Sequence, residues 1–174
     1  MREMGWARAG AVVALLWSGV AGAGAAPTTT GDGEFLKQAL GVNQLELQLG
    51  KLAAQRASSP EVKASGTKMV ENHTKLGQQL GELAREAGVA PTPQLTAEQR
   101  ATYDRVAAES GARFDAAFTQ TVDAGHVKEL AMYRTEASRA ESPKLRAFAE
   151  QRVSALEKAV ADAEQRAAKP PVGQ

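Results

Sequence analysis

Apolar residues recur at alternating spacings of four and three over residues 59–87, and this repeat constrains the fold more than any other feature. The repeat positions are Val62, Gly66, Met69, His73, Leu76, Leu80, Leu83 and Ala87. This spacing is typical of a helix whose seam packs in a bundle. His73 stands in the middle of the seam, where an aliphatic residue is expected. Because a buried imidazole costs free energy unless its nitrogens find partners, we expect polar groups on neighbouring helices to reach it.

Three further segments share this helical periodicity, so the chain has two pairs of long helices with a Ser-Pro turn inside each pair. The predicted long helices cover residues 34–57, 60–87, 112–140 and 143–168, and a short helix covers 97–109. Ser59 and Ser142 are suited to cap the helices that Pro60 and Pro143 begin. The sequence therefore predicts an all-α fold, a four-helix bundle of two antiparallel hairpins joined by a long crossover with a short extra helix.

The first 26 residues have the pattern of a secretory signal peptide. Arg2 and Arg8 precede an apolar run over residues 9–20, and small residues follow as far as Ala26. The alternative is an uncleaved membrane anchor, but the run is shorter than the ~20 residues that a spanning helix needs. We therefore expect cleavage and a periplasmic or secreted protein with no transmembrane segment in the mature chain.

The remaining chain divides into three predicted parts. Residues 27–33 are rich in Thr, Gly and Pro and are expected to form a flexible leader, in which Asp32 caps the first helix. The helical bundle is predicted over residues 34–168. Residues 169–174 contain two prolines and are expected to be a disordered tail.

Composition excludes several classes of function. The full chain has 21 basic and 20 acidic side chains, and removal of the signal peptide takes two arginines and one glutamate, which leaves 19 of each. This balance, without any run of Lys and Arg, argues against a nucleic-acid partner. Because the chain contains no cysteine, disulfides, thiol catalysis, thiolate metal ligands and a lipid-modified cysteine are excluded.

Two histidines and two glutamates fall on core faces near the middle of the predicted helices. Glu46 occupies the core register of the first helix, and its distance from the turn places it level with His73. His126 and Glu129 lie one turn apart on the third long helix. Two imidazoles and two carboxylates are suitable ligands for one zinc, iron, manganese or copper ion. The sequence thus allows a mononuclear metal site made of these four residues.

A purely structural role for the same residues is the alternative. Glu46 would accept a hydrogen bond from His73, Glu129 would accept one from His126, and Arg152 would balance the remaining charge. Such buried polar clusters can fix the register of a bundle. No Ser-His-acid arrangement and no glycine-rich phosphate loop is found, and we expect no cleft between the helices. An enzyme is therefore not favoured.

Asp115, Glu136 and Arg152 are expected to surround these four residues as supporting groups. Asp115 lies eleven residues, or ~16 Å along a helix, from His126. Its position near the start of the third long helix favours a capping or dipole role over metal ligation.

The two hairpins have a weak internal repeat. Residues 57–64 resemble residues 140–147, at an offset of 83. The same offset maps Glu46 onto Glu129, but it maps His73 onto Leu156 and Asn43 onto His126. We therefore expect two copies of one plan with an asymmetric polar core.

Several motifs resemble the exported family known as domain of unknown function 4142, whose members are often labelled predicted outer-membrane proteins. The matching residues are Phe35-Leu36-Lys37-Gln38-Ala39, Glu46-Leu47-Gln48-Leu49-Gly50-Lys51-Leu52-Ala53, Met69-Val70-Glu71-Asn72-His73-Thr74, Ser110-Gly111, Phe114-Asp115 and His126. The resemblance covers roughly residues 33–165. It implies a ferritin-like bundle, export, and an association with the outer membrane.

The bundle lacks the residues of a ferritin-like di-iron centre. Such proteins offer a Glu-x-x-His pair from each of two helices. Here Val70 stands three residues before His73, and the last helix has Val153 and Leu156 at the matching positions. We therefore do not expect a di-iron oxidase.

Two classes of function remain. One is a non-enzymatic envelope or stress-related interaction module that acts through its helical surface, as a homodimer or with another envelope protein. The other is a periplasmic metal-binding bundle with Glu46, His73, His126 and Glu129 as ligands. An exposed apolar stripe would favour the first and stoichiometric metal the second.

Overall fold

The structure, a computed structural model, describes residues 30–168. Its five helices are α1 (Thr30–Arg56), α2 (Pro60–Glu86), α3 (Ala97–Ala107), α4 (Gly111–Arg139) and α5 (Pro143–Ala168). These confirm the predicted all-α bundle of two hairpins with a short extra helix in the connection. The predicted signal peptide, most of the leader and the tail lie outside the described residues.

The first helix begins earlier than predicted, at Thr30 instead of Glu34. Asp32 is buried in its first turn and accepts hydrogen bonds from the backbone N–H groups of Glu141 (3.3 Å) and Ser142 (3.1 Å). The predictions of a cap at Asp32 and of a flexible leader as far as residue 33 are therefore wrong. The reason is that this first turn is anchored to the turn between α4 and α5.

The turn between α1 and α2 is held in the same way by the other hairpin. Asp115, in the first turns of α4, accepts hydrogen bonds from Ser58 N (3.0 Å), Ser58 Oγ (2.8 Å) and Ser59 N (2.7 Å). Partial burial raises the pKa of Asp115, but these hydrogen bonds outweigh it and hold the pKa below its ordinary value. Each hairpin thus braces the turn of the other, and α1 and α4 run antiparallel.

Glycine permits a close approach of α1 to α2 near one end of the bundle. A Cβ atom built on Gly66 would lie 2.6 Å from Ala54 N and 2.8 Å from Gly50 O. These are backbone atoms of the facing helix, which cannot move aside as a flexible side chain can. The close packing of this hairpin therefore requires glycine at position 66.

Two apolar clusters fill the bundle, with polar residues between them. One cluster contains Phe35 and Tyr133, whose rings meet edge to face with centroids 5.2 Å apart. The other contains Leu49 and Phe114, and it includes Val106, which anchors α3 to the bundle. Asn43, Glu46, His73 and Glu129 lie between the two clusters along α1, α2 and α4. Among the five helices, none combines the length and hydropathy that a membrane span requires.

Candidate functional site

His73 is buried between two side chains of α1. Its Nδ1 atom lies 3.0 Å from Asn43 Oδ1, and its Nε2 atom lies 3.1 Å from Glu46 Oε2. Only 7% of His73 and 4% of Glu46 is exposed. The predicted contact between His73 and Glu46 is therefore present. Asn43 was not predicted as its second partner, although it precedes Glu46 by one helical turn.

These contacts determine where the protons lie. Because Asn43 Oδ1 can only accept, the ring carries its proton on Nδ1. Burial lowers the pKa of His73 to about 3, with further lowering from Arg152 and His126, so the ring is neutral at pH 7. Its unprotonated Nε2 atom then faces Glu46 Oε2, and a favourable contact requires a proton on Glu46.

Glu46 meets this requirement. Burial is the largest cause that raises its pKa well above the ordinary value, and the neighbouring Glu129 carboxyl raises it further. Arg152 acts in the opposite direction with a smaller effect. In its protonated form Glu46 donates a hydrogen bond to His73 Nε2 or shares its proton with Glu129.

The cluster continues through Glu129 to α5. Arg152 Nη2 lies 3.8 Å from Glu129 Oε2, and its guanidinium carbon lies 5.6 Å from the centre of the Tyr133 ring. Burial strongly raises the pKa of Tyr133, so its hydroxyl stays protonated. Residues from all four long helices thus take part in one buried group.

His126 is close to this group but does not complete it. It is partly buried, and its Nδ1 atom has no hydrogen-bond partner within residues 30–168. The hydrogen bond to Glu129 that the structural alternative required is not formed. Burial lowers the pKa of His126, and the negative charges of Glu129 and Asp123 partly oppose this effect.

Of the three predicted supporting residues, only Arg152 lies at the cluster. Asp115 instead accepts hydrogen bonds from the turn between α1 and α2. Glu136 is fully buried near the other end, where Arg139 Nε lies 2.9 Å from its Oε2 atom. Burial raises the pKa of Glu136, and the bond to Arg139 opposes this shift. Both lie on α4, Asp115 fourteen residues before Glu129 and Glu136 seven residues after it, so the rise of ~1.5 Å per residue keeps them from the cluster.

The four predicted metal ligands do not form a ready ligand set. Within residues 30–168, no three His, Asp or Glu side chains are placed as a metal ion would need. Instead, His73 contacts Glu46 while Glu129 faces the Arg152 guanidinium. The mononuclear metal site stays a prediction.

A cleft of about 580 Å³ opens between α1, α3 and α4. The expectation that the bundle leaves no cleft is therefore wrong. The connection between α2 and α4 is held along α1, because Arg56 donates hydrogen bonds to Ala107 O and Glu109 O, both at 2.8 Å. Val106 is buried at the same end of α3. The rest of α3 forms one wall of the cleft instead of closing it.

Glu46 and Glu129 are among the residues that line this cleft, and each is only 4% exposed. Both oxygens of Glu46 and Oε1 of Glu129 accept no hydrogen bond from another group in the described part of the chain. Gly125 lies opposite, and a Cβ atom built on it would be 3.7 Å from Glu46 Oε1. The absence of a side chain at Gly125 leaves room beside this oxygen.

A family model and two kinds of solved structure match the chain. The family model described as "Domain of unknown function (DUF4142)" matches residues 19–165. No curated protein is detectably similar in sequence. A protein from Streptomyces coelicolor described as a secreted DUF305 protein has a TM-score of 0.66 and 12% identity, covering 83% of this chain and 97% of its own. CopM, in an Ag-bound and a Cu(II)-bound form, has a TM-score of 0.62 and 14% identity, covering 77% of this chain and 93% of its own. At these identities the likeness shows a shared fold.

Proposed function

This chain belongs to the DUF4142 family, and we propose that it is an exported, non-enzymatic protein that binds a small positively charged ligand between its hairpins. The pair of buried carboxyl groups at the cleft, Glu46 and Glu129, carries this proposal. Buried polar atoms are ordinarily hydrogen-bonded, because leaving them unpaired costs free energy. A cation with hydrogen-bond or coordination capacity would satisfy the oxygens that have no partner within residues 30–168.

Export is supported by the predicted signal peptide over residues 1–26. It is supported further by the likeness to a protein from Streptomyces coelicolor described as secreted. A periplasmic or secreted location gives a binding protein direct access to ions and small molecules outside the cell.

Binding in the cleft is better supported than interaction through the helical surface. A partner surface needs a contiguous apolar patch of several hundred Å². Among the large apolar residues of the described helices, Val127 alone is exposed, with 56% of its surface accessible to solvent. One valine supplies too little area for a stable interface.

A transition-metal ion is the second candidate ligand, with Glu46, His73, His126 and Glu129 as the residues that would hold it. The orientation of His73 favours this candidate. Metal-binding histidines commonly donate one ring N–H to an oxygen and bind the metal through the other nitrogen, and Asn43 fixes His73 in this way. CopM, which shares the fold, has been crystallised with silver and with copper. Zinc, iron, manganese and copper are all compatible with the ligand types.

Calorimetric titration of the untagged protein near pH 7 tests the proposed function. The titrants are Zn²⁺, Mn²⁺, Fe²⁺, Cu²⁺, Ag⁺ and butylamine. We expect at least one to bind at a single site, and Glu46→Gln to weaken it roughly tenfold or more, because an oxygen acceptor is replaced by an N–H donor that cannot bind a cation. Glu71→Gln is the matched control, since Glu71 is exposed on α2 away from the cleft. Absence of binding by every titrant would overturn the proposal.

A further inference from the structure

We propose that the ligand is an organic primary ammonium ion with a short apolar body, seated in the cleft with its charged group against Glu46 and Glu129. This inference rests on the proposed cation-binding function and names the class of ligand. It is carried by the size of the cleft, the chemistry of its walls and the unpaired oxygens of its buried carboxyl groups.

The cleft is far larger than a metal ion requires. Its volume is about 580 Å³, whereas one water molecule takes up about 30 Å³ in the liquid. Pockets that hold small organic molecules range over about 300–1,000 Å³. The volume therefore fits an organic molecule with several heavy atoms.

The walls of the cleft change in character from its mouth to its buried end. Apolar residues of α1 and α4 line part of the cleft: Val42, Leu45, Leu49, Val122 and Met132. Polar residues of the same helices, such as Gln38 and Thr121, and the polar side of α3 line the rest. Exposed charged residues lie at the mouth, where Lys128 Nζ is 3.9 Å from Glu98 Oε1. The carboxyl groups are at the buried end. A ligand that matches this order has a positive head and an apolar body.

The unpaired oxygens call for a ligand with several hydrogen-bond donors. Glu46 Oε1 and Glu129 Oε1 are both without a hydrogen-bond partner in the described residues. A primary ammonium group has three N–H donors, and the space beside Gly125 adjoins Glu46 Oε1. A quaternary ammonium ion has the same charge but no donor, so it would leave these oxygens unpaired.

Titration with a series of primary alkylamines from methylamine to hexylamine tests the inference on the full chain. Each methylene buried against the apolar walls contributes ~0.8 kcal/mol, so we expect affinity to rise roughly fourfold per carbon until the cleft is filled. Tetramethylammonium, with no N–H donor, and butanol, with no charge, should bind at least tenfold more weakly than butylamine.

Two variants locate the site, and Glu71→Gln serves again as the control. Glu46→Gln should weaken butylamine binding at least tenfold. Gly125→Ala places a methyl group 3.7 Å from Glu46 Oε1, where it reduces the room for an ammonium group. Because alanine is a better helix former than glycine, Gly125→Ala should raise the melting temperature while it weakens binding. This separates loss of the site from loss of the fold.

The outcomes distinguish this inference from the function on which it rests. Amine binding that grows with chain length and falls in both variants supports the inference. Binding of Ag⁺ or a divalent metal without binding of any amine overturns the inference and leaves the cation-binding function standing. Amine binding that is equal in the parent and in both variants overturns the inference as well. Binding of neither amines nor metals overturns both.

Discussion

At the scale of the residue, His73 and Glu46 form a pair in which one proton satisfies two buried groups. The ring donates through Nδ1 to Asn43 and presents Nε2 to Glu46 Oε2. If either residue changes its charge, the other loses its partner in a site with almost no access to water. The charge state of this pair therefore affects stability as well as binding.

Acidification should destabilise the fold through His73. Its folded pKa is about 3 against an ordinary value of 6.5, so its contribution is fully present above pH 6.5 and is lost as pH falls towards 3. The difference corresponds to a loss on the order of 5 kcal/mol. His73→Gln cannot titrate, so its free energy of unfolding should fall less between pH 7 and 3.5 in urea melts. Equal losses in parent and variant would contradict this account.

Glu46 should act in the opposite direction. Its raised pKa means that its stabilising effect is fully present below its ordinary value near 4.5 and is lost as pH rises through the folded pKa. Glu46→Gln keeps an N–H donor for His73 Nε2 and cannot ionise. Its melting temperature relative to the parent should therefore rise between pH 5 and pH 8.5. A constant difference across this range would show that Glu46 does not ionise within it.

At the scale of the element, α1 and α2 depend on how closely their backbones approach. A Cβ atom on Gly66 would come within 2.8 Å of two backbone atoms of α1, whereas one on Gly81 would meet only side chains, at 3.8 and 3.9 Å. The same substitution therefore has different consequences at two points of one helix.

Gly66→Ala should destabilise the protein by about 2 kcal/mol, because overpacking outweighs the gain in helix propensity. Gly81→Ala should be neutral or stabilise it by up to ~1 kcal/mol, because it gains propensity without a clash. Denaturant unfolding of both variants measures the contrast. Similar effects at the two positions would mean that the helices can separate at little cost.

At the scale of the whole molecule, the offset of 83 residues that relates the hairpins also relates their contacts. Asp32 accepts from Glu141 and Ser142, and at the same offset Asp115 accepts from Ser58 and Ser59. Glu46 and Glu129 are related in the same way and meet at the centre. The repeat is thus one of tertiary contacts as well as of sequence.

The two braces should contribute independently to stability. Asp32 and Asp115 act at opposite ends of α1, ~39 Å apart at 1.5 Å per residue. Asp32→Ala should cost about 2 kcal/mol through its lost charge-assisted hydrogen bonds, and Asp115→Ala should also destabilise the fold. The double variant should lose the sum of the two, because distant sites are additive. Urea melts of the three variants test this, and a strong departure from additivity would indicate that the hairpins communicate.

The helices and turns could be predicted because their signals are local. Ser59 followed by Pro60, and a seam with spacings of four and three, specify a boundary and a face without reference to the rest of the chain. The role of Asp32 could not be predicted, because its partners lie 109 and 110 residues away. The cleft depends in the same way on Arg56, which reaches carbonyl groups 51 and 53 residues further along.

For the candidate site, the sequence predicts which residues lie together at mid-bundle better than it predicts the contacts among them. Helical register places Glu46, His73, His126 and Glu129 at mid-bundle, and the structure brings His73 to Glu46. Which oxygens stay unpaired depends on side-chain rotamers and on Arg152, which faces Glu129 from α5. Rotamer choice responds to packing from all four helices, so spacing along one helix does not determine it.

The reciprocal bracing of the turns has a consequence for the origin of this architecture. A half-length polypeptide with a single hairpin would carry both the aspartate and the Ser-Pro turn, and two copies facing each other about a twofold axis would make both contacts. The present chain has the contacts of such a homodimer within one polypeptide. Because its two halves are separate sequences, they can differ at matching positions, as Asn43 differs from His126 and His73 from Leu156.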